Sequence, residues 1–453
     1  MLDIKFIREN PDKVKEGAKK KGAKVDINEV LELDRRKRET LQALEDMRAK
    51  KNQASKEIGR AKDEKEKKKI IMKMKELDNN NDRLDNSLKE LEKEFNGLIY
   101  KIPNIPLAGV PLGGEEDSVV VEKVGEKPEF DFEIKDYMEI GEKLDLIDTK
   151  RAAKIAGTRF GFLKREAALM EFALIMLAFD VLVKNGFVPV IPPVMIKSEM
   201  AMGMGFIQQT DDEEAYYLPK DDFYLTATSE QSLGSMHAGE VFEEKDLPKR
   251  YAGFSTCFRR EAGSYGKDTK GILRVHQFDK VEMFSFTKPE DSEKEHKFLL
   301  ETEKTLMDEL KLPYQVVNIA AGELGMPAAQ KYDIETWIPS EKRYRETHST
   351  SNCTDFQARR LNIRYKNKEG KLEFLHTLNG TAFAIGRMLI AIIENYQQKD
   401  GSILVPEALQ KYLGFKKITQ KESGTNSERI RRIKFCLRNG RKFALDWLFT
   451  FVF

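Results

Sequence analysis

FRREAGSYGKDTKGILRVHQFDKVE, residues 258–282, is the stretch on which the fold turns. A strand-like approach from Gly253 to Phe258 leads into a polar, glycine-rich loop from Ala262 to Gly271. The chain then returns through Arg274 and Phe278 to a second strand-like stretch, Lys280 to Phe286. Strand, loop and strand in succession predict an antiparallel hairpin. Such a hairpin can place Arg259, Glu261, Arg274 and Glu282 on one surface. Two arginines there can hold a triphosphate and stabilise charge that develops at phosphorus. Two carboxylates beside them can bind an ammonium group or Mg2+. Taken alone, the pattern also fits a surface hairpin laced with ion pairs.

Around this hairpin, helices and strands are mixed. Residues 165–185 (REAALMEFALIMLAFDVLVKN) read as a largely buried helix, and 289–311 and 382–396 also read as helical. Phe187 to Pro193 (FVPVIPP) reads as a strand ending in a turn, with further strand-like stretches at Phe223–Leu225 and Leu372–Leu378. Neither a βαβ rhythm nor a Gly-rich phosphate loop is present. The order favours an α+β domain built on an antiparallel sheet over a doubly wound one.

The first hundred residues have a different character. From Asn28 to Tyr100 there is no proline, and lysine and glutamate dominate. Met74, Leu77, Leu84, Leu88, Leu91, Phe95 and Leu98 form a seam with heptad steps, Asn81 filling one apolar place. A looser seam of Val30, Leu33, Leu41, Leu44, Met47, Ala54 and Ile58 precedes it. Between the two, residues 60–69 offer almost nothing to bury. This predicts a long antiparallel α-helical hairpin, or coiled coil, with its tip near 60–67. At ~1.5 Å per residue, helices of about 30 residues would reach roughly 45–50 Å. A dimerising coiled coil, a solvated spacer and an RNA-binding arm all fit; the basic tip suits phosphates. Ile102 to Gly114 (IPNIPLAGVPLGG), rich in proline and glycine, marks the boundary that follows.

Composition sets outer limits. The chain has 453 residues, 40% hydrophobic and 34% charged, so a sizeable core coexists with extensive solvated surface. A net charge of +2 does not announce a nucleic-acid partner, and basic residues would have to act locally. Cys257, Cys353 and Cys436 are far apart and odd in number, against a disulfide framework or a structural zinc site. A reducing, cytoplasmic compartment is expected. MLDIKFIREN lacks the apolar core of a signal peptide, and no run approaches the ~18 apolar residues of a membrane span.

Three further constellations carry possible chemistry. Asn379-Gly-Thr-Ala-Phe-Ala-Ile-Gly-Arg387 is read as opening the helix Met388–Tyr396, and its small residues would let a ligand approach the backbone. Arg387 would be costly to bury there without an anionic partner. Thr226-Ala-Thr228-Ser229-Glu230 sets hydroxyls beside a carboxylate, which suits an amino-acid amine and equally suits an ordinary helix cap. Tyr344 to Arg360 (YRETHSTSNCTDFQARR) is dense in hydrogen-bonding groups and contains His348, a possible base or a simple polar contact.

In this order the segments resemble class II aminoacyl-tRNA synthetases, specifically the seryl-tRNA synthetase family. MLDIKFIRENPDKV, KIPNIPLAGVP, TSE at 228–230, FRREAGSYGKDTKG with RVHQFDKVE, RETHSTSNCTDFQARR and LNGTAFAIGR carry the likeness, which spans roughly residues 1–417. It implies a tRNA-binding helical arm (1–103), a class II catalytic domain (104–417) of antiparallel sheet flanked by helices, and an atypical C-terminal tail (418–453). The helix 165–185 with the strand that follows would be motif 1, the homodimer element; the Arg259 hairpin would be motif 2, and Gly380–Arg387 motif 3. The implied activity is serine–tRNA ligation by way of seryl-adenylate, with L-serine, ATP, tRNA(Ser) and tRNA(Sec) as partners and no membrane.

The same likeness implies site roles. Arg259, Arg274 and Arg387 would be catalytic. Arg259, Arg260, Glu261, Val275, Glu346, Thr347, His348 and Ser349 would bind ATP, with Glu346 as a Mg2+ ligand. Thr228, Ser229, Glu230, Arg259, Glu282 and Thr381 would bind serine. Arg260 and His348 stand where the family commonly has smaller residues, and Thr381 stands for a common serine. The cysteines do not follow the spacing of the family's zinc-dependent form. Two other readings remain: a synthetase-like paralogue that activates a small amino acid without charging tRNA, and an inactive RNA-binding relative. The basic and aromatic tail from about Thr419 to Phe453 matches nothing in the family.

Overall fold

The computed structural model describes residues 1–60, 64–207, 214–262 and 270–420. Residues 61–63 of the expected hairpin tip, the centre of the glycine-rich loop (263–269), Cys436 and nearly all of the tail lie outside these residues. The chain divides into two compact units, Met1–Pro106 and Leu107 onward.

The first unit is helical: α1 (Ile4–Glu9), α2 (Pro11–Lys20), α3 (Ile27–Arg60) and α4 (Glu64–Ile99). Asp3 caps α1, accepting from the Lys5 amide at 2.7 Å, and Pro11 opens α2 where a missing N–H costs nothing. α3 has 34 residues and α4 has 36. At ~1.5 Å per residue each is about 50 Å long. Their ion pairs run in opposite directions: Lys37 with Glu92 at 3.2 Å, Arg48 with Asp85 at 3.5 Å, Lys51 with Asp78 at 2.5 Å. The hairpin is therefore antiparallel. These partly exposed pairs set register more than they stabilise. Ile7, Val14, Val30, Leu33, Leu91, Phe95 and Ile99 form one core where α1 and α2 pack on the open end of the hairpin. The first seam differs from expectation at Leu41, which is 43% exposed, while Leu44 is buried.

The second unit is organised by one eight-stranded sheet. Its strands are β1 (Val119–Val124), β2 (Val188–Val190), β3 (Lys249–Phe258), β4 (Gln277–Thr287), β5 (Tyr314–Asn318), β6 (Gln330–Ile338), β7 (Arg343–Asn352) and β8 (His376–Ala384). Their order is β1-β5-β6-β7-β8-β4-β3-β2. Every pairing is antiparallel except β2 with β3. Near its centre, β4 pairs with β3 from Phe258↔Gln277 onward, the hairpin expected from the sequence.

Helices α5 (Tyr137–Lys143), α6 (Glu166–Lys184), α7 (Ser229–Ser235), α8 (Ser292–Leu310), α9 (Phe356–Leu361) and α10 (Ile385–Asn395) flank the sheet. Leu174 of α6, Leu299 and Leu306 of α8, and Leu389 of α10 pack with Val281, Met283 and Phe383 into the main core. Residues 379–384, expected to open a helix, instead continue β8, and α10 starts only at Ile385. Asn379 and Gly380 are paired on both sides, and 381–384 continue along β4 past a one-residue bulge at Ala382 that leaves Thr381 at the cavity and Phe383 in the main core, so pairing overrides the local small-residue pattern.

Candidate active site

Strand alternation builds the site. Phe278, Lys280 and Glu282 of β4 line one cavity, as do Asn379 and Thr381 of β8. Glu282 and Thr381 are register partners, and the Thr381 hydroxyl donates to Glu282 Oε2 at 3.4 Å. In β7 a one-residue bulge at Thr347 lets Glu346, Ser349 and Ser351 share that face, while Thr347 borders the cavity with its hydroxyl turned to Thr336 Oγ1 at 2.7 Å. Together with Arg259, Glu261, Arg274 and Val275 from the hairpin and Arg387 from the first turn of α10, they enclose a cavity of about 480 Å³.

The cavity has two chemically different ends. At one end are arginines paired to carboxylates. Arg274 Nη1 donates to Glu261 Oε2 at 3.3 Å, and Arg387 Nη1 donates to the Glu346 carbonyl at 3.0 Å and is ion-paired with Glu346 Oε1 at 3.0 Å. Burial works against ionisation of Glu346, but Arg387, with Lys331 and Arg259 beyond, holds its carboxyl below the ordinary range. Arg259 donates through Nε to the Ala227 carbonyl at 3.3 Å and lies over the Phe278 ring at 5.1 Å. This fixes its guanidinium in the cavity wall.

The other end is a buried polar nest. Glu282 is 1% exposed and ion-paired to Lys280, itself 6% exposed. Glu230 Oε1 accepts from Asn379 Nδ2 at 2.9 Å and from Gln357 Nε2 at 3.1 Å. Thr377 donates to Gln357 Oε1 at 2.6 Å and so turns the amide NH2 toward Glu230. Burial, then the charge of Glu282, pushes the Glu230 carboxyl up to about 8, with Lys280 opposing. Behind β8, burial and the charge of Glu282 also raise Glu303 well above the carboxylate range. A neutral acid beside a paired carboxylate can receive a compact ammonium or hydroxyl, exchanging its proton for the ligand's charge.

Of the residues named from sequence, Arg259, Glu261, Arg274, Val275, Glu346, Thr347, Ser349 and Arg387 line the cavity, as do Thr228, Glu230, Glu282 and Thr381. Three others stand behind or beside it. Ser229 donates to the Gly253 carbonyl at 3.1 Å. The Arg260 guanidinium lies over Tyr216 at 5.3 Å. His348, one place past the bulge, points through the sheet onto Phe383, and burial lowers its pKa to about 3. It is therefore neutral at ordinary pH. Thr228 is also the N-cap of α7, accepting from the Glu230 amide at 3.3 Å, so the capping reading of that triplet holds beside the site reading.

Sequence reasoning missed Lys280, Asn379, Lys331 and the wall from Glu323 to Ala328. Two-residue alternation from Phe278 to Glu282 could have found Lys280, and the same step back from Thr381 reaches Asn379. Lys331 and the 323–328 wall arrive by tertiary folding alone.

Comparison with known proteins agrees with this architecture. Residues 1–106 match the seryl-tRNA synthetase N-terminal domain, and residues 215–396 match the tRNA synthetase class II core domain (G, H, P, S and T). The serine–tRNA ligase of Thermobifida fusca is 46% identical over 415 residues, covering 91% of this chain and 98% of that one. The crystal structure of seryl-tRNA synthetase from Pyrococcus horikoshii complexed with ATP superimposes with a TM-score of 0.85 at 39% identity, covering 93% of this chain and all of that one. The cytoplasmic serine–tRNA ligase of Naegleria fowleri in complex with AMP gives 0.81 at 36%, covering 93% and 99%. With both characteristic domains matched and close relatives aligned over nearly its whole length, this chain belongs to the seryl-tRNA synthetases, a family of class II aminoacyl-tRNA ligases.

Proposed function

We propose that the cavity activates L-serine with ATP and then loads it onto tRNA(Ser). The observation that carries this reading is the polarity of the cavity: Arg259 lies near enough to act on both Glu346, at the arginine-rich end, and Glu230, in the buried carboxylate nest. ATP occupies the first, with Arg274 and Arg387 on its phosphates and Glu261, Val275, Thr347 and Ser349 around it. Serine occupies the second, with Thr228, Glu230, Glu282 and Thr381 about its amine and hydroxyl. Arg260, Ser229 and His348 contribute from outside the lining, His348 through its backbone.

In the first step a serine carboxylate oxygen attacks the α-phosphorus in line. The bond to the β-phosphate bridging oxygen breaks, and pyrophosphate leaves. Arg259 touches both carboxylate and α-phosphate, so it orients the reactants and offsets developing charge. No side chain acts as nucleophile. In the second step the terminal hydroxyl of tRNA attacks the adenylate carbonyl, and AMP leaves. Serine is preferred over alanine because a ligand without the hydroxyl leaves buried polar groups unpaired.

The ionised Glu346 carboxylate at the arginine end suits Mg2+, which takes few protein oxygens beside phosphate and water. Mg2+ held there would neutralise charge on the phosphates. Residues 1–103 serve as the tRNA-binding arm and 104–417 as the catalytic domain, and the two long helices favour this over the paralogue that lacks tRNA charging. tRNA(Sec) is a further proposed substrate, on family likeness. A homodimer is proposed through α6, whose outer face carries exposed Leu169, Phe172 and Met176 in helical steps. The cytoplasm is the proposed site of action, consistent with the buried thiols of Cys257 and Cys353, which form no disulfide. Among the described residues no helix is long and apolar enough to cross a membrane.

Amino-acid-dependent ATP–pyrophosphate exchange tests the core of this reading. Serine should support exchange, and alanine and threonine little. Absence of exchange with every amino acid would refute it.

A further inference from the structure

The geometry points to Tyr137, a residue outside the cavity, as a positioning residue that locks two walls of the nucleotide end together. This rests on the proposed ATP site and adds a component to it. One wall is the segment 272–275, which joins the hairpin loop to β4; the other is the start of α10, with Gly386 and Arg387. The β3–β4 ladder stops at Phe258↔Gln277, so the first wall lies beyond the sheet's own hydrogen bonds.

Tyr137 supplies what the ladder does not. Its ring is buried in the main core. Its hydroxyl accepts from the Ile272 amide at 3.1 Å and donates to the Lys270 carbonyl at 3.4 Å. The phenol sits against Gly271, whose φ is +80°; a Cβ there would fall 1.9 Å from the Tyr137 oxygen, so a side chain at 271 and this hydroxyl exclude each other. Burial raises the phenol pKa to about 12, and the group keeps the proton it needs to donate and accept at once.

The other end of Tyr137 is held by the second wall's own helix. Its backbone N–H donates to Glu394 Oε1 at 3.0 Å. Glu394 lies on α10, fully buried, and its other oxygen accepts from the Ser340 amide at 2.9 Å. One turn on, the Gln397 side chain pairs with both backbone groups of Lys135, at 3.0 and 3.1 Å. α10 therefore clamps residues 135–137, and Tyr137 passes that constraint to Ile272. Where the walls meet, a Cβ on Gly386 would lie 3.4 Å from the Ile272 carbonyl, so small shifts of one wall change the space beside the other. Tyr137 touches no substrate; it acts through Ile272, Arg274 and Arg387.

Tyr137→Phe removes the hydroxyl and keeps the ring. ATP affinity by equilibrium titration and the KM values of serine-dependent exchange are measured on the full chain. ATP should bind roughly tenfold more weakly, the scale of one buried amide deprived of its acceptor, while the KM for serine stays put. Tyr365→Phe is the control. It removes a phenol–carboxylate bond of 2.9 Å to Glu373, away from the cavity. It should lower the unfolding midpoint comparably and leave ATP affinity unchanged. Unchanged ATP affinity in Tyr137→Phe, or equal losses for ATP and serine, overturns the inference. Failure of the unmodified protein to exchange with serine, with ATP still bound, overturns the proposed function instead and leaves the Tyr137 comparison readable.

Discussion

Serine binding should expel a proton, and Glu230 is the reason. Its carboxyl lies 4% exposed among Lys280 and Glu282 on β4, Arg259 after β3, Gln357 on α9 and Asn379 on β8. Burial and the Glu282 charge raise it to about 8, so at pH 7 roughly nine-tenths of empty sites hold the neutral acid. An ammonium docked there favours the ionised form. Binding at pH 7 therefore releases about 0.9 proton per site, and affinity for serine falls roughly fifty-fold between pH 8 and pH 6. Stability carries the matching sign. The folded pKa lies above the ordinary 4.5, so the folded state holds this proton where the unfolded chain has lost it. The resulting stabilisation is complete below about pH 4.5 and drains away as pH rises toward 8, at about 1.4 kcal/mol per unit. Glu230→Gln removes the titration and should gain roughly 2–3 kcal/mol on the unmodified protein between pH 5 and pH 7. The assay is calorimetric titration of serine, with a non-hydrolysable ATP analogue bound, in buffers of different ionisation enthalpy. Urea unfolding of both proteins at several pH values accompanies it. Binding heats that do not depend on the buffer, or parallel pH–stability curves, would refute the reasoning.

Three further outcomes are expected. Gly380→Ala would set a Cβ 3.0 Å from Glu303 Oε1 and Met283 Cε and 3.2 Å from Thr350 Oγ1. It should cost about 1–3 kcal/mol in urea unfolding and raise the KM for serine, since β8 must shift at Thr381. Arg259→Ala and Arg387→Ala should each lower pyrophosphate exchange by roughly 10²–10³, the scale of losing one preorganised donor; exchange within a few-fold of normal would exclude either from the reacting phosphates. Deleting residues 30–98 should spare exchange while abolishing aminoacylation of tRNA, and equal loss of both would make the arm structural.

The parts of the molecule legible in the sequence are those governed by local period. The α3–α4 hairpin follows from heptad spacing, and β3–β4 from two strand-like runs around a glycine-rich loop. Leu41 departs because α3 packs against only one partner over most of its length, leaving a narrow buried stripe. Residues 379–384 departed for the opposite reason: pairing with β4 along the stretch, and with β7 at Asn379 and Gly380, imposed extension on small residues that alone suit either state.

His348 carries the lesson furthest. In the run Glu346 to Ser349 every side chain is polar or aromatic, and nothing local says which ones share a face. Strict alternation from Glu346 would have put His348 in the cavity and Thr347 out of it. The bulge at Thr347 changes that assignment: Thr347 and His348 both turn inward, to Thr336 and Phe383, and Glu346 stays with Ser349 and Ser351 at the cavity. One extra residue thus decides whether His348 or Ser349 stands beside the nucleotide. It also explains how a histidine is tolerated at 348. The side chain is buried as the neutral ring, its pKa lowered to about 3, and burial is then a packing problem rather than a charge beside phosphates. Deleting Thr347 makes Glu346 and His348 neighbours, and plain alternation then still sets Glu346 and Ser349 at the cavity and His348 inward. Pyrophosphate exchange should therefore fall no further than for Thr347→Ala, which loses the hydroxyl contact with Thr336. A far larger loss on deletion would mean that the backbone of the bulge, and not only the facing of these side chains, shapes the nucleotide end.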